Sequence, residues 1–161
     1  DLKAKAETRN RLELKQKALD ALVKISETNY PPILEDEEFT GLLRDEARRL
    51  GFRELTDYLK RANKTDEELR KELRPIAQKR LVEGLVLDKL AEEEKIEINS
   101  SEVDNKIEEI ASGAEDKEKA RQFFSLPQIK KSIEQSLRTQ KTMDQLLRIA
   151  IGNAENMTKE G

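Results

Sequence analysis

The fold of this chain is decided by a charged helical stretch near its middle, where residues 67–87 read EELRKELRPIAQKRLVEGLVL. Apolar residues recur there every three or four positions, which is typical of an amphipathic helix. Thr65 stands three residues before Glu68, the spacing of a capping box, so the helix is predicted to begin there. Pro75 removes an interior backbone hydrogen bond at a cost of ~3 kcal/mol, which predicts a kink or a break near Leu73.

Three helices are predicted before this stretch. The apolar period predicts one amphipathic helix from Leu2 to about Ile25, and Pro31-Pro32 is expected to end it. A second helix carries Phe39 on its apolar face, and Gly51 stands where a left-handed cap is needed. A shorter third helix follows, with its apolar face at Leu55, Tyr58, Leu59 and Ala62.

The sequence after the stretch continues the helical pattern. Ser101 is predicted to cap a helix that Gly113 closes, and a short amphipathic turn then carries Phe123 and Phe124. No β-alternation of any length appears apart from residues 96–98. The predicted fold class is therefore all-α.

The last helix is predicted to begin at residues 125–128, Ser-Leu-Pro-Gln, with Gln128 in the capping-box position, and to end at Gly152. Residues 153–161 are expected to form a flexible tail. Residues 1–152 are then one helical domain, although length alone leaves two small lobes open. Because the chain starts without methionine inside a helical pattern, it is interpreted as an excerpt of a longer protein.

Charge composition argues against a nucleic-acid-binding protein. The 31 basic and 34 acidic residues give a net charge of -3, whereas nucleic-acid binders usually carry a basic excess. The cluster of Arg48, Arg49 and Arg53 leaves a phosphate contact open. Charged residues beside a helix end are, however, more often solvated.

The residue types that are missing exclude most catalytic chemistry. The chain has no cysteine, histidine or tryptophan, which removes disulfides, thiolate nucleophiles, imidazole bases and zinc sites that need Cys or His ligands. Its glycines are isolated, so no phosphate-binding loop is present, and acidic runs such as residues 92–94 are typical of solvated surface. We expect no enzyme activity, no cofactor and no metal. The short apolar runs predict neither a membrane span nor a signal peptide.

Exposed apolar surface is the remaining candidate for function, because large unburied apolar patches commonly mark interaction sites. The candidate residues are those that a single helix-helix seam explains least. They are Tyr30, Ile33, Phe39, Ile107, Ile110, Phe123, Phe124, Leu126 and Met143. Residues of this kind are more often core than contact surface, since periodicity does not show which partner a stripe faces. Phe123 and Ile110 are predicted to be contact residues, because little sequence around Gly113 is available to cover them.

The ordered series of these segments closely resembles the carboxy-terminal domain of bacterial trigger factor. The resemblance is carried by residues 67–87, and it continues through Lys95-Ile96-Glu97-Ile98 and residues 101–111. It resumes at Phe123-Phe124 and in the final helix. Residues 30–37, Tyr-Pro-Pro-Ile-Leu-Glu-Asp-Glu, look like the proline-started arm helix of that family.

This resemblance implies an elongated all-α body with two helical arms that form a cradle. The inner apolar surface of the cradle would hold unfolded or nascent polypeptides in the cytoplasm without ATP, and the patches around Ile110 and Phe123 would contact them. Ribosome docking and prolyl isomerase activity would belong to domains that these residues do not contain. No nucleic acid or membrane is expected as a direct partner, and a homodimer is left open.

Two other classes of protein remain open at this point. A helical scaffold or adaptor would need sustained heptads, which Pro31, Pro75 and Pro127 interrupt. A periplasmic chaperone with a related helical core would carry a secretion signal on the full-length protein.

Overall fold

The computed structural model describes the backbone of residues 2–159 and the side chains of residues 3–155. Within these residues the chain contains seven helices and no strand, which confirms the all-α prediction. The helices are α1 (Leu2–Ile25), α2 (Pro32–Arg49), α3 (Leu55–Ala62), α4 (Asp66–Glu93), α5 (Ser100–Ser112), α6 (Lys117–Phe124) and α7 (Pro127–Lys159).

The described residues divide into two compact units. The first unit combines Asp1–Leu22 with Leu87–Gly161, and the second unit is Val23–Val86. Helix α4 belongs to both units, because its first part lies in the second unit and its last part in the first.

The prolines at 31–32 start a helix rather than end one. Helix α1 covers the predicted range but stops at Ile25, several residues before Pro31. Pro31 is the N-cap of α2, and Pro32 occupies the first helical position, where the missing N–H would have no partner in any case. The prediction that these prolines terminate α1 is therefore wrong.

The end of α2 is built by a glycine in the left-handed region, as predicted. Gly51 has a φ of +82°. Its N–H donates to the carbonyl of Arg48 at 3.0 Å, and the N–H of Phe52 donates to the carbonyl of Ala47 at 2.8 Å. This pair of bonds is a Schellman motif, and it turns the chain sharply after Leu50.

The start of α4 confirms the predicted capping box. The hydroxyl of Thr65 accepts from the N–H of Glu68 at 3.2 Å, and the carboxylate of Glu68 accepts from the N–H of Thr65 at 2.8 Å. The helix continues through Pro75 without a break, so a break near Leu73 is wrong, whereas a kink there stays a prediction. Leu69 and Ala77 on either side of the proline are both buried, and this packing offsets the lost hydrogen bond.

Helix α5 ends at Gly113 as predicted, but three other boundaries of the later helices differ from the prediction. Asn99, not Ser101, caps α5: its side chain accepts from the N–H of Glu102 at 2.9 Å, and Glu102 completes a capping box. Ser125 is the C-cap of α6 instead of the N-cap of α7. Helix α7 continues to Lys159, so its predicted end at Gly152 is also wrong. The flexibility of a tail at 153–161 stays a prediction.

Each unit has its own apolar core. The core of the second unit joins α2, α3 and α4 through Phe39, Leu43, Ala47, Tyr58, Leu69 and Ala77. The buried residues of the first unit include Leu19, Ala91, Val103, Ile107, Ala111, Leu146 and Leu147. Thr142 is also buried there, and its hydroxyl is satisfied by donation to the carbonyl of Arg138 at 2.7 Å.

Candidate functional site

The predicted contact residues near Gly113 lie on α5, on α6 and just before α7, three elements that contact one another. Ile110 lies in the last turn of α5, Phe123 and Phe124 end α6, and Leu126 directly precedes α7. Ile110 is 36% exposed, Phe123 54% and Leu126 50%, while Phe124 is partly buried. We call these four residues the α5–α6 surface.

Helix α5 buries one face and leaves its neighbour open. Val103, Ile107 and Ala111 follow each other at a spacing of four residues and form the buried stripe. Ile110 stands one turn from Ile107 but to the side of that stripe. The burial of Ile107, at 4% exposure, places it in the core rather than on the α5–α6 surface.

Helix α6 is linked to α5 by an ion pair and is capped at its own start by Asp116. It has no buried residue. Nη2 of Arg121 lies 2.7 Å from the carboxylate of Glu108 on α5, and the side chain of Asp116 accepts from the N–H of Lys119. That backbone bond lowers the pKa of Asp116. Ala120 and Phe124 of α6 are partly buried, whereas Phe123 remains exposed at the surface.

The phenylalanines at the end of α6 form an edge-to-face pair. The ring centroids of Phe123 and Phe124 are 5.3 Å apart, with an angle of 79° between the ring planes. Leu126 is linked to the same turn, since its N–H donates to the carbonyl of Phe123 at 3.2 Å. The start of α7 is held to α5 by the pair of Lys130 and Asp104 at 2.7 Å. The exposed apolar groups thus stand on a braced helical support.

A second apolar surface of the first unit lies between α1 and α7. It is a groove of about 490 Å³ lined by Leu12, Glu13, Lys15, Gln16, Thr139, Gln140 and Met143. Met143 is partly buried, and Leu12 is 59% exposed. Asp144 beside the groove lies 2.8 Å from the ammonium of Lys15 and 2.9 Å from Arg11. The hydrogen bond from Lys15, followed by the one from Arg11, lowers the pKa of Asp144 despite partial desolvation.

The remaining predicted residues lie in the second unit and are not equally accessible. Ile33 is exposed at the start of α2, and Tyr30 before it is partly buried. Phe39 is buried at 4% exposure, with the guanidinium of Arg70 stacked 4.5 Å from its ring centroid. The structure therefore assigns Phe39 to the core, and the expectation of a contact surface at this position is corrected.

Sequence reasoning missed several exposed apolar residues. They are Leu12, Leu14, Ile25, Leu50, Ile76 and Ile151. Leu50 carried a readable signal, because the residue before a left-handed glycine lies at a helix end, where little covers it.

The resolved pKa shifts of the described carboxylates all have one direction. Where a pKa shift of an Asp or Glu is resolved, it is downward, as at Glu102, whose carboxylate accepts from the N–H of Asn99 and from Lys141. A general acid near neutral pH needs a raised carboxyl pKa instead. The described side chains also include no group of three or more acidic residues placed to hold a metal ion. None of the described helices is long and apolar enough to cross a membrane.

These features define a helical protein that displays apolar side chains on a charged scaffold. Residues 1–148 match the family model described as bacterial trigger factor protein C-terminus, so the chain belongs to this family. The resemblance seen in the sequence is thereby confirmed.

Known trigger factors are similar over most of this chain. That of Thermoanaerobacter sp. (strain X514) is 32% identical over 142 residues, which cover 84% of this chain and 31% of that protein. That of Halothermothrix orenii is 30% identical over 149 residues, or 91% of this chain and 35% of that protein. A solved structure of trigger factor domains from Thermotoga maritima has a TM-score of 0.62 at 18% identity, and covers 86% of this chain and 81% of that one. The chain thus spans no more than 35% of the curated relatives named here.

Proposed function

We propose that this chain is a non-catalytic chaperone domain that binds apolar segments of nascent or unfolded polypeptides. The observation that carries this proposal is the α5–α6 surface, where three large apolar side chains are 36–54% exposed on helices braced by ion pairs. Exposed apolar patches on a stable scaffold commonly serve as interaction sites. Membership in the trigger factor family supports the same role.

The proposed partner is a polypeptide segment rather than a folded protein. An unfinished chain exposes apolar side chains at many points. Contact with the α5–α6 surface can remove each of these side chains from water, and the contact does not require the client to adopt a fixed shape. At ~25 cal/mol per Å² a patch of a few hundred Å² binds weakly, so several patches acting together are needed. The groove between α1 and α7 and the exposed Ile33 supply further patches. Long clients should therefore bind more tightly than short ones.

The wider setting is part of the proposal. The family resemblance implies that the longer protein acts in the cytoplasm and docks on the ribosome. Ribosome docking and prolyl isomerase activity would then belong to segments other than these residues. The chain's own contribution is the holding of clients, which needs no nucleotide because burial of apolar surface requires no hydrolysis.

Light scattering of a chemically denatured client, diluted with and without a several-fold excess of this chain, tests the proposal. We expect suppressed aggregation in the absence of nucleotide. The double substitution Ile110→Ala/Phe123→Ala should reduce the suppression. Ile151→Ala, which truncates an exposed side chain elsewhere on α7, should leave it unchanged. Equal aggregation with and without the wild-type chain would refute the proposal.

A further inference from the structure

Methionine is the only sulfur-containing residue type in this chain. The sequence contains two methionines, Met143 and Met157, and no cysteine. Two-electron oxidants such as peroxides convert an accessible methionine to methionine sulfoxide. Met157 lies outside the residues whose side chains the structure describes, so the structure bears on Met143.

The groove between α1 and α7 gives solvent access to Met143. The groove has a volume of about 490 Å³, and Met143 is one of its lining residues and is partly buried. A water molecule accounts for ~30 Å³ of the liquid, and a peroxide is only one oxygen atom larger. Thr139 and Gln140, which line the same groove, are exposed. A small oxidant can therefore enter the groove and reach its wall.

Met143 stands where the apolar row of α7 changes from buried to open. Leu147 is buried at 8% exposure, Met143 one turn before it is partly buried, and Thr139 one further turn away is exposed. The facing row of α1 changes in the same way, since Leu19 is 4% exposed and Leu12, two turns before it, is 59% exposed. Residues three or four apart share a helix face. The open ends of both rows, at Leu12 and Thr139, line the groove.

Polar contacts beside the groove join the two helices without using the sulfur of Met143. Asp144 of α7 lies 2.8 Å from the ammonium of Lys15 and 2.9 Å from the guanidinium of Arg11, both on α1. A chemical change at Met143 would alter the apolar contacts and leave these ion pairs in place. The expected consequence is a local loosening of α1 and α7 rather than unfolding.

Oxidation of a thioether by hydrogen peroxide adds one oxygen atom to the side chain. The sulfur attacks one peroxide oxygen, so an S–O bond forms and the O–O bond breaks. The hydroxide that leaves takes the proton of the transferred hydroxyl and becomes water. The sulfur loses two electrons, and the peroxide gains them. The product is a polar sulfoxide at a position that was apolar.

The wall around Met143 offers little to a sulfoxide oxygen. The ammonium of Lys15, the amide of Gln16 and the hydroxyl of Thr139 already take part in ion pairs or hydrogen bonds within the chain. A polar group that is removed from water without a hydrogen bond is unfavourable. The oxygen would therefore turn toward water or toward the exposed Gln140, which moves the side chain away from the buried row of α7.

We propose that Met143 is a reversible oxidation site through which peroxide loosens the packing between α1 and α7. A fully exposed thioether would react without effect on packing, and a fully buried one would not meet the oxidant. The intermediate burial of Met143 satisfies both requirements. A methionine sulfoxide reductase reverses the change, because a dithiol is oxidised to a disulfide while the sulfoxide oxygen leaves as water. This modification site does not depend on the proposed chaperone function.

Peroxide treatment of two variants with a single methionine tests the proposal. Met157→Leu keeps Met143 as the only sulfur, and Met143→Leu keeps Met157. Leucine is close to methionine in volume and has no sulfur to oxidise. Each variant is compared with its own untreated sample, so that the effect of the leucine itself cancels. Peptide mass mapping measures oxygen uptake, thermal unfolding gives the midpoint, and amide hydrogen exchange reports on each helix.

We expect Met157→Leu to take up one oxygen atom at Met143 and its thermal midpoint to fall by about 2–4 °C. Amide exchange should become faster in residues 11–19 of α1 and remain unchanged in α3 of the second unit. The midpoint of Met143→Leu should not change. Reduction by a methionine sulfoxide reductase with a dithiol should restore the midpoint of oxidised Met157→Leu. Met143→Gln, which places a polar amide at this position without any oxidant, should lower the midpoint as oxidation does.

Three results would overturn the proposal. The first is a Met143 that stays unmodified at a peroxide concentration that fully oxidises a short methionine peptide. The second is an oxidised Met143 with no change in the midpoint or in the exchange of α1. The third is an equal fall of the midpoint in Met157→Leu and Met143→Leu, since the effect would then not depend on Met143. None of these measurements uses a client, so the aggregation assay tests the proposed function separately.

Discussion

Replacing Phe123 with alanine distinguishes a client-contacting side chain from a core side chain. A buried phenylalanine costs ~3–5 kcal/mol when truncated to alanine, but Phe123 is 54% exposed. Its edge-to-face pair with Phe124 is worth ~0.5–1.5 kcal/mol beyond area burial. We therefore expect Phe123→Ala to lower the free energy of unfolding by only about 1–2 kcal/mol.

The effect of the same substitution on client affinity follows from the exposed area. A large aromatic side chain can bury ~150–250 Å², and about half of that area of Phe123 remains open to a client. At ~25 cal/mol per Å² the contact is worth about 2–3 kcal/mol, or roughly 30- to 150-fold in affinity. The client should bury only part of this area, and contacts with other patches should compensate for some of the loss. We therefore expect the measured client affinity to fall by about five- to twentyfold.

Two isoleucines of α5 provide the matched control. Ile107 and Ile110 are of one residue type, one turn apart, with exposures of 4% and 36%. Ile107→Ala should cost ~2–5 kcal/mol of stability, whereas Ile110→Ala should cost far less and should weaken client binding instead. Urea unfolding and fluorescence titration with a permanently unfolded client measure the two quantities. If Phe123→Ala loses as much stability as Ile107→Ala, or binds the client unchanged, the assignment of the α5–α6 surface is refuted.

Backbone and charge substitutions give three further predictions, each measured by urea or thermal unfolding. Gly51→Ala should destabilise the fold by about 1–2 kcal/mol, because a φ of +82° is unfavourable for alanine. Gly84→Ala should instead stabilise it by about 0.5–1 kcal/mol, because Gly84 lies inside α4 and nothing lies within 4 Å of the added Cβ. Lys95 has a φ of +51° in the same kind of helix end, so Lys95→Gly should stabilise by about 0.5–1 kcal/mol, and a loss would contradict the strain argument. Asp144→Asn should cost about 1 kcal/mol at neutral pH. The pKa of Asp144 is lowered in the folded protein. The stabilisation by its carboxylate is therefore present at pH above the ordinary carboxyl pKa and is lost as the pH falls through the lowered pKa. The free energies of unfolding of wild type and variant should then converge in acid.

Helix existence was readable from the sequence wherever local chemistry decides it. The amphipathic period set the limits of α1, the glycine at position 51 set the end of α2, and Thr65 with Glu68 set the start of α4. In each case one short-range signal had no competitor nearby. Such signals act within a turn of helix, so they are visible without the fold.

The failed predictions are those in which local signals compete or distant packing decides. Asn99 and Ser101 are both good caps two residues apart, and Glu102 favours Asn99 because it stands three residues later. Pro75 was expected to kink or break α4, but α4 is unbroken, and the residues Leu69 and Ala77 on either side of the proline are buried. The choice of N-cap and the effect of Pro75 on α4 cannot be predicted from the spacing of apolar residues alone.

The candidate site was predictable in part for the same reason. Periodicity identifies Ile107 and Ile110 as apolar positions of α5, but only the packing of α6 and α7 shows that the first is covered and the second is not. Phe39 was a reasonable candidate from the sequence, but in the folded chain it lies in a core with residues of α3 and α4.

The central claim is that the exposed apolar side chains of the α5–α6 surface contact unfolded polypeptide. Methyl NMR spectra of the chain, labelled at isoleucine and leucine and titrated with a permanently unfolded client, test it most directly. We predict saturable shifts at the methyl groups of Ile110 and Leu126, much smaller ones at the buried Ile107, and loss of the response in Phe123→Ala. Client binding that leaves Ile110 and Leu126 unshifted would contradict the claim.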